Sequence, residues 1–195
     1  MRNFIMTEKG FGYLDKNLKP LMESITPKQS KSNIYVALGL DRISTHSILI
    51  AFGIHMETFW NKVISDSCSS INLIEDINIV EINGANKQID HLFLVNSIKH
   101  YLESKCNVKF DSEKDKKSNE KVKQIMETVN ADEGGYFIPV VSTIDQKDLT
   151  KYNNKGLNVY GTKWLLSKID APFTDEEYYS YLRETISPIL VEMGL

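Results

Sequence analysis

A chain of 195 residues, 42% hydrophobic and 25% charged, has the composition of an ordinary globular protein and enough length for one substantial core. Its longest clean apolar run, residues 48–54, falls far short of the roughly 20 residues that span a bilayer, and the opening MRNFIMTEKG holds no apolar segment of signal-peptide type. The net charge of −3 neither advertises nor excludes a nucleic-acid partner; the two cysteines, Cys68 and Cys106, have no CxxC spacing, so a reduced, cytoplasmic protein is expected.

Residues 1–43 carry turn signals at Lys9-Gly10, Thr26-Pro27 and the polar run 28–33, and read as short helices and loops ahead of the core. Over residues 44–66, Leu49, Phe52, Met56, Phe59 or Trp60, and Val63 recur at three- and four-residue spacing, which predicts a helix. A polar break at 67–70 follows. INIVEI (77–82) reads as a strand, Asn83-Gly84 as a hairpin turn, 88–95 as the next strand and 98–108 as the third of a meander. A charged helix is expected over 112–130, anchored by Val122, Ile125, Met126 and Val129 and broken by a turn at Gly134-Gly135.

Residues 136–142 suggest a further strand, with Pro139 arguing for an edge or a bulge. A short strand at 157–160 and a short helix at 161–169 follow. Thr174-x-x-Glu177 is a capping box opening a C-terminal helix, which Pro188 kinks or ends. The expected class is α/β, with a mixed central sheet flanked by helices. A single domain is expected over 1–195: an extension (1–43), a core (44–142) and a C-terminal helical part (143–195).

The most informative stretch is QIDHLFLVNSIKHYLESKC, residues 88–106. A two-residue turn at Asn96-Ser97 sets Val95 against Ile98 and therefore Asp90 against Glu103. Strand side chains alternate, so Lys105 leaves the same face as Glu103. Opposed like charges destabilise a hairpin unless a cation compensates, and a divalent metal is the natural candidate. Mg²⁺ takes hard oxygen ligands, here Asp90, Glu103 and the Ser104 carbonyl. A lysine nearby orients a metal-activated water or steadies an oxyanion.

A helix bearing a glutamate (Glu57 in HMETFW), then an aspartate between apolar residues (QIDHLF), then Glu-x-Lys (YLESKC), resembles the PD-(D/E)-x-K nuclease superfamily. Residues 44–142 also follow that family's αβββαβ order, although Ile89 stands where the motif's name has proline. The resemblance implies a restriction-endonuclease-like core with extra helices at both termini. It implies Mg²⁺-dependent cleavage of double-stranded DNA by an activated water, leaving 5′-phosphates. The size and flanking helices look most like a type II restriction endonuclease, a class commonly homodimeric because a palindromic duplex has two equivalent strands. Asp90, Glu103, Lys105 and Glu57 are then the catalytic candidates. Rival readings are a structure- or damage-specific nuclease on the same core, and an inert binding or assembly protein.

Asn107 and Lys109 share the Lys105 strand face, and Lys114, Lys116 and Lys117 follow directly; all are candidates to approach a DNA backbone. The run 111–123 reads most simply as the exposed face of a helix. His91 is expected on the face opposite Asp90, His100 beside Phe93 in a structural role, and His46 and His55 have no metal-like spacing. Tyr178, Tyr179 and Tyr181 read as core or interface aromatics, and Gly134-Gly135 lacks the pattern of a phosphate cradle.

Overall fold

The computed structural model describes residues 8–29, 44–67, 71–73, 79–106 and 112–195. The helices before the sheet are α1 (Glu8–Asn17), α2 (Lys19–Glu23) and α3 (Thr45–Asp66). Then come β1 (Ile71–Leu73), β2 (Ile79–Ile82), β3 (Ala85–Gln88), β4 (His91–Val95), β5 (Ile98–Ser104), α4 (Ser112–Thr128), β6 (Glu133–Ile138), α5 (Gln146–Asn153) and β7 (Asn158–Gly161). Helix α6 (Thr162–Lys168), α7 (Asp175–Tyr181), a π-helical turn (Leu182–Ile186) and α8 (Ser187–Glu192) close the chain. Two compact units emerge: one of the residues up to Phe59 with Pro172–Leu195, the other Trp60–Ala171. No described helix is long and apolar enough to cross a membrane.

The first unit is helical and aromatic. Phe59 and Tyr178 stack with ring centroids 6.2 Å apart, Phe173 stacks on both, and Tyr13 packs against Phe59 and Phe173. The expected capping box is formed, with Thr174 and Glu177 exchanging backbone and side-chain hydrogen bonds. Pro188 falls in the first turn of α8, directly after the π-helical turn. Tyr178 and Tyr181 are fully buried, as core aromatics.

The second unit is α/β, built on a mixed five-stranded sheet in the order β1-β4-β5-β6-β7. β1, β4 and β5 pair antiparallel, whereas β6 runs parallel to β5 and β7 parallel to β6. Each parallel step requires a crossover, and α4 and α5 lie in those two connections. The β4–β5 register is the expected one, with Val95 against Ile98 and His91 against Leu102.

Several expectations are corrected. The meander does not run through INIVEI: β2 pairs with β3 alone, as a separate two-stranded ribbon, and the unanticipated β1 takes the place beside β4. The predicted strand 88–95 divides because β3 carries exposed polar residues that cannot line a core. Asp90 then turns its side chain to the Ser104 backbone N–H instead of continuing a strand. The expected α/β class with a mixed sheet is present, with β1, β4 and β5 antiparallel and β6 parallel to β5, but β2 and β3 intervene between β1 and β4 in the chain.

Gly134-Gly135 is not a turn but part of β6, which begins at Glu133 instead of 136. A Cβ at Gly134 would stand 2.6 Å from the Tyr101 carbonyl oxygen and 2.9 Å from Met126 Sδ of α4; the missing side chain lets helix and sheet approach. Helix α5 was not anticipated. Strand β5 ends at Ser104, and residues 107 and 108 of the expected 98–108 strand lie outside the described residues, as do 77 and 78.

Asn96 and Ser97 have φ of 51° and 67°, the left-handed pair that a type I′ turn requires. For a serine that conformation costs about 1–2 kcal/mol, while glycine loses about 0.5–1 kcal/mol through its extra freedom in the unfolded chain. Ser97→Gly is therefore expected to stabilise the fold by about 0.5–1 kcal/mol. Urea unfolding reads this as a raised midpoint; an unchanged or lowered midpoint contradicts it.

Candidate functional site

Tyr101 and Glu103 stand two residues apart on β5 and leave the same face of the sheet. The parallel register sets Gly134 beside Tyr101 and Tyr136 beside Glu103. Helix α4 covers that face: its Val122 and Ile125, with Val129 just beyond its end, join Leu92, Tyr101, Tyr136, Ile138 and Val159 in one apolar core, with Val80 and Ile82 of the β2–β3 ribbon. At the edge of this core Tyr136 donates its hydroxyl to Asn119 Oδ1 of α4 at 2.9 Å.

Glu103 is 3% exposed, so its carboxylate has given up nearly all contact with water and needs partners from the protein. Tyr101 Oη donates to Oε2 at 2.7 Å and Lys105 Nζ to Oε1 at 2.8 Å. Lys121 Nζ, reaching in from α4, lies 2.9 Å from both oxygens. Burial alone pushes the Glu103 pKa up; Lys105 and Lys121 outweigh it, and the net displacement is below the ordinary glutamate value. Glu103 is therefore an ionised carboxylate inside the fold.

Asp90 lies one residue before β4, half-buried, and its Oδ2 accepts the Ser104 backbone N–H at 2.8 Å. Both acids act on one phenol. Burial foremost, then Glu103, then Asp90 raise the Tyr101 pKa, so its hydroxyl stays a donor. Asp90, Glu103 and Lys105 thus lie at the same end of the hairpin, with Asp90 against the Ser104 backbone.

The other face is aromatic. Phe137 contacts Trp60 edge-on with centroids 5.2 Å apart and His91 at 5.9 Å, while His100 stacks on Phe93 at 5.2 Å. His91 is buried away from Asp90 as alternation requires, its Nδ1 2.7 Å from Asn61 Oδ1. Burial, partly opposed by the charge of Glu103, lowers its pKa to about 4. His100 is lowered as well, by burial first, against the charge of Glu133. His55 lies near Ser24, and His46 is exposed on α3.

Of the other expected residues, Glu57 is half-buried on α3 within the first unit. Ser104 is half-buried at the end of β5; Lys116 and Lys117 are exposed on α4, which also carries Lys114. Asn107 and Lys109 lie outside the described residues. Among the described residues no group of three or more His, Cys, Asp or Glu side chains could hold a metal ion.

The reading of 111–123 as an exposed face is corrected at Asn119, which is buried, and at Lys121, whose ammonium meets Glu103. The signal was present in the sequence: Lys121 and Ile125 of α4 and Val129 just after it recur at four-residue spacing, and two of the three are apolar. Tyr101 was equally legible, two residues from Glu103 on the same strand.

No family model and no curated protein matches the chain. Among solved structures it is similar to Can2 from Sulfobacillus thermosulfidooxidans in complex with cyclic tetra-adenylate, at 12% identity and a TM-score of 0.37 over 93% of this chain and 51% of that one. It is also similar to VC1899 from Vibrio cholerae, at 15% identity and 0.37 over 92% and 42%. The chain thus spans about half of these neighbours or less, and similarity at this level informs neither its fold nor its function.

The buried histidines generate a pH prediction. An unfolded chain takes up a proton at His91 near the ordinary 6.5, whereas the folded chain resists it down to about 4. The unfolded state binds more protons in that window, so stability falls as pH drops through it and is unaffected above it. At about 1.4 kcal/mol per pH unit the loss at His91 is about 3 kcal/mol, and His100 acts in the same direction. Glu103 adds its own loss only below the ordinary glutamate value of 4.5. Chemical unfolding from pH 7 to 4 is expected to show this decline, flattened in His91→Asn; an identical slope in that variant sinks the assignment.

Proposed function

We propose that the chain is a metal-dependent nuclease, in its finer form a Mg²⁺-dependent endonuclease that cuts double-stranded DNA at specific sites as a homodimer and leaves 5′-phosphates. The supporting observation is Glu103: a buried, ionised carboxylate held between Tyr101, Lys105 and Lys121, at the end of the hairpin where Asp90 also lies. A fold keeps such a charge inside only against a desolvation cost, and perturbed carboxylates of this kind concentrate at functional sites.

The donors fit magnesium in kind. Mg²⁺ is commonly bound through one or two carboxylates, completing its shell with waters and substrate phosphates, and Asp90 and Glu103 are two such carboxylates, with the Ser104 carbonyl as a further oxygen. Bound there, the ion supplies a water of lowered pKa and offsets charge on the phosphorus oxygens.

The chain's own groups do the rest. Lys105, with about a third of its side chain exposed (32%), donates to the attacking water and steadies the anion forming at phosphorus. Tyr101 anchors Glu103 from inside the core. Lys116 and Lys117 give the exposed side of α4 positive charge for backbone phosphates. One observation favours a second reading, a purely structural ion cluster: the four lone-pair sites of the Glu103 carboxylate are all engaged by these donors.

A plasmid digest separates the readings. With Mg²⁺ the protein is expected to give discrete fragments, and none with chelator. Glu103→Gln and Lys105→Met are expected to lose about 100-fold or more in cleavage rate while keeping the wild-type circular dichroism. Wild-type cutting by either variant removes the assigned roles. Cutting confined to branched or damaged DNA replaces site recognition by structure recognition, and no metal-dependent cutting of any DNA leaves the structural reading.

A further inference from the structure

We infer that Lys121 is a positioning residue of this site, an internal cation that covers Glu103 until a divalent metal takes its place. The inference rests on the reading of Asp90 and Glu103 as metal ligands.

A metal needs a lone pair, and the carboxylate of Glu103 has about four. Oε1 is engaged by Lys105 and Lys121, Oε2 by Tyr101 and Lys121. A cation therefore reaches Glu103 only when one of the three donors withdraws.

They differ in how readily they can. Tyr101 is fully buried in the core, so its hydroxyl has nowhere to go. Lys105 lies next to the strand that carries Glu103, and its backbone N–H is tied to the Phe137 carbonyl at 2.9 Å. Lys121 is as accessible as Lys105 (31% against 32% of the side chain exposed) but arrives from a different element and straddles both oxygens. Its departure alone opens one lone pair on each oxygen and leaves the Tyr101 and Lys105 anchors in place.

Charge gives the same answer. Lys105 and Lys121 already bring two positive charges to the Glu103 carboxylate. A divalent ion entering this cluster repels both ammonium groups at short range, and Lys121, which straddles both oxygens from a separate helix, is the one that relieves the repulsion by leaving. A merely structural Lys121 docks α4 on the sheet, and its removal lowers stability with no gain in metal affinity.

The test is calorimetric titration of the full chain with Mn²⁺ alone, for wild type, Lys121→Met, Lys121→Arg and Glu103→Gln, with thermal unfolding as the control on folding. Lys121→Met is expected to bind Mn²⁺ about tenfold tighter than wild type, because one competing charge is gone. Lys121→Arg, which keeps the charge, is expected to bind no tighter than wild type, and Glu103→Gln to lose binding. If Lys121→Met does not fold, Lys121→Gln takes its place: it keeps a donor without the charge and is expected to show the same gain. Binding that depends on Glu103 but is equal or weaker without the Lys121 charge overturns the inference and leaves the metal site standing. Binding indifferent to Glu103→Gln, or absent from wild type and the Lys121 variants alike, overturns both.

Discussion

One buried carboxylate organises the second unit. Glu103 is taken out of water at a cost of several kcal/mol, and what offsets it comes from two elements: Tyr101 and Lys105 on its own stretch of chain, and Lys121 on the helix that follows. An ion cluster of this kind adds little net stability compared with an apolar substitute, yet it penalises any arrangement that leaves the acid unpaired. It therefore acts on geometry. Helix α4 must lie so that Lys121 reaches Glu103 and Asn119 reaches Tyr136, and Gly134 supplies the close approach that this position demands.

The sheet divides its labour between its faces. On the α4 face an apolar core ends in a charged patch where β5 and β6 finish. The carboxyl ends of parallel strands are where open α/β sheets place their ligand crevices, because the following segments must leave the sheet there. On the opposite face Trp60, Phe93 and Phe137 surround His91 and His100, and burial keeps both imidazoles neutral. The titratable groups poised for chemistry are thus concentrated on one side, while those on the other serve packing.

A carboxylate shared by two ammonium groups and a phenol is also a carboxylate prepared for exchange. The same feature that makes the cluster self-sufficient, full use of its lone pairs, means that on the proposed reading a metal enters only as a donor leaves. The two lysines are therefore not equivalent: Lys105 is bound to the strand that carries Glu103, and Lys121 belongs to a separate helix.

The hairpin was legible because its information is local. Asn96-Ser97 admits the left-handed turn, and the turn sets the β4–β5 register without reference to the rest of the chain. Helices α3 and α4 were legible in the same way, from apolar periodicity. The partners across the fold were not. Lys121 sits in a run of charges whose solvent-exposed and inward members look alike in one dimension, and Gly134-Gly135 reads as a break until α4 is seen lying against it.

The substitution of β1 for INIVEI beside β4 has the same origin. Strand pairing at long sequence separation is a competition among edges, decided by which apolar surface each strand can bury, and a single strand carries no record of it. The sequence alone settled the hairpin, its register and the type of helix on either side. Only the tertiary structure decided which cations meet Glu103, because charge pairing across elements depends on how the sheet twists and how closely a helix may approach.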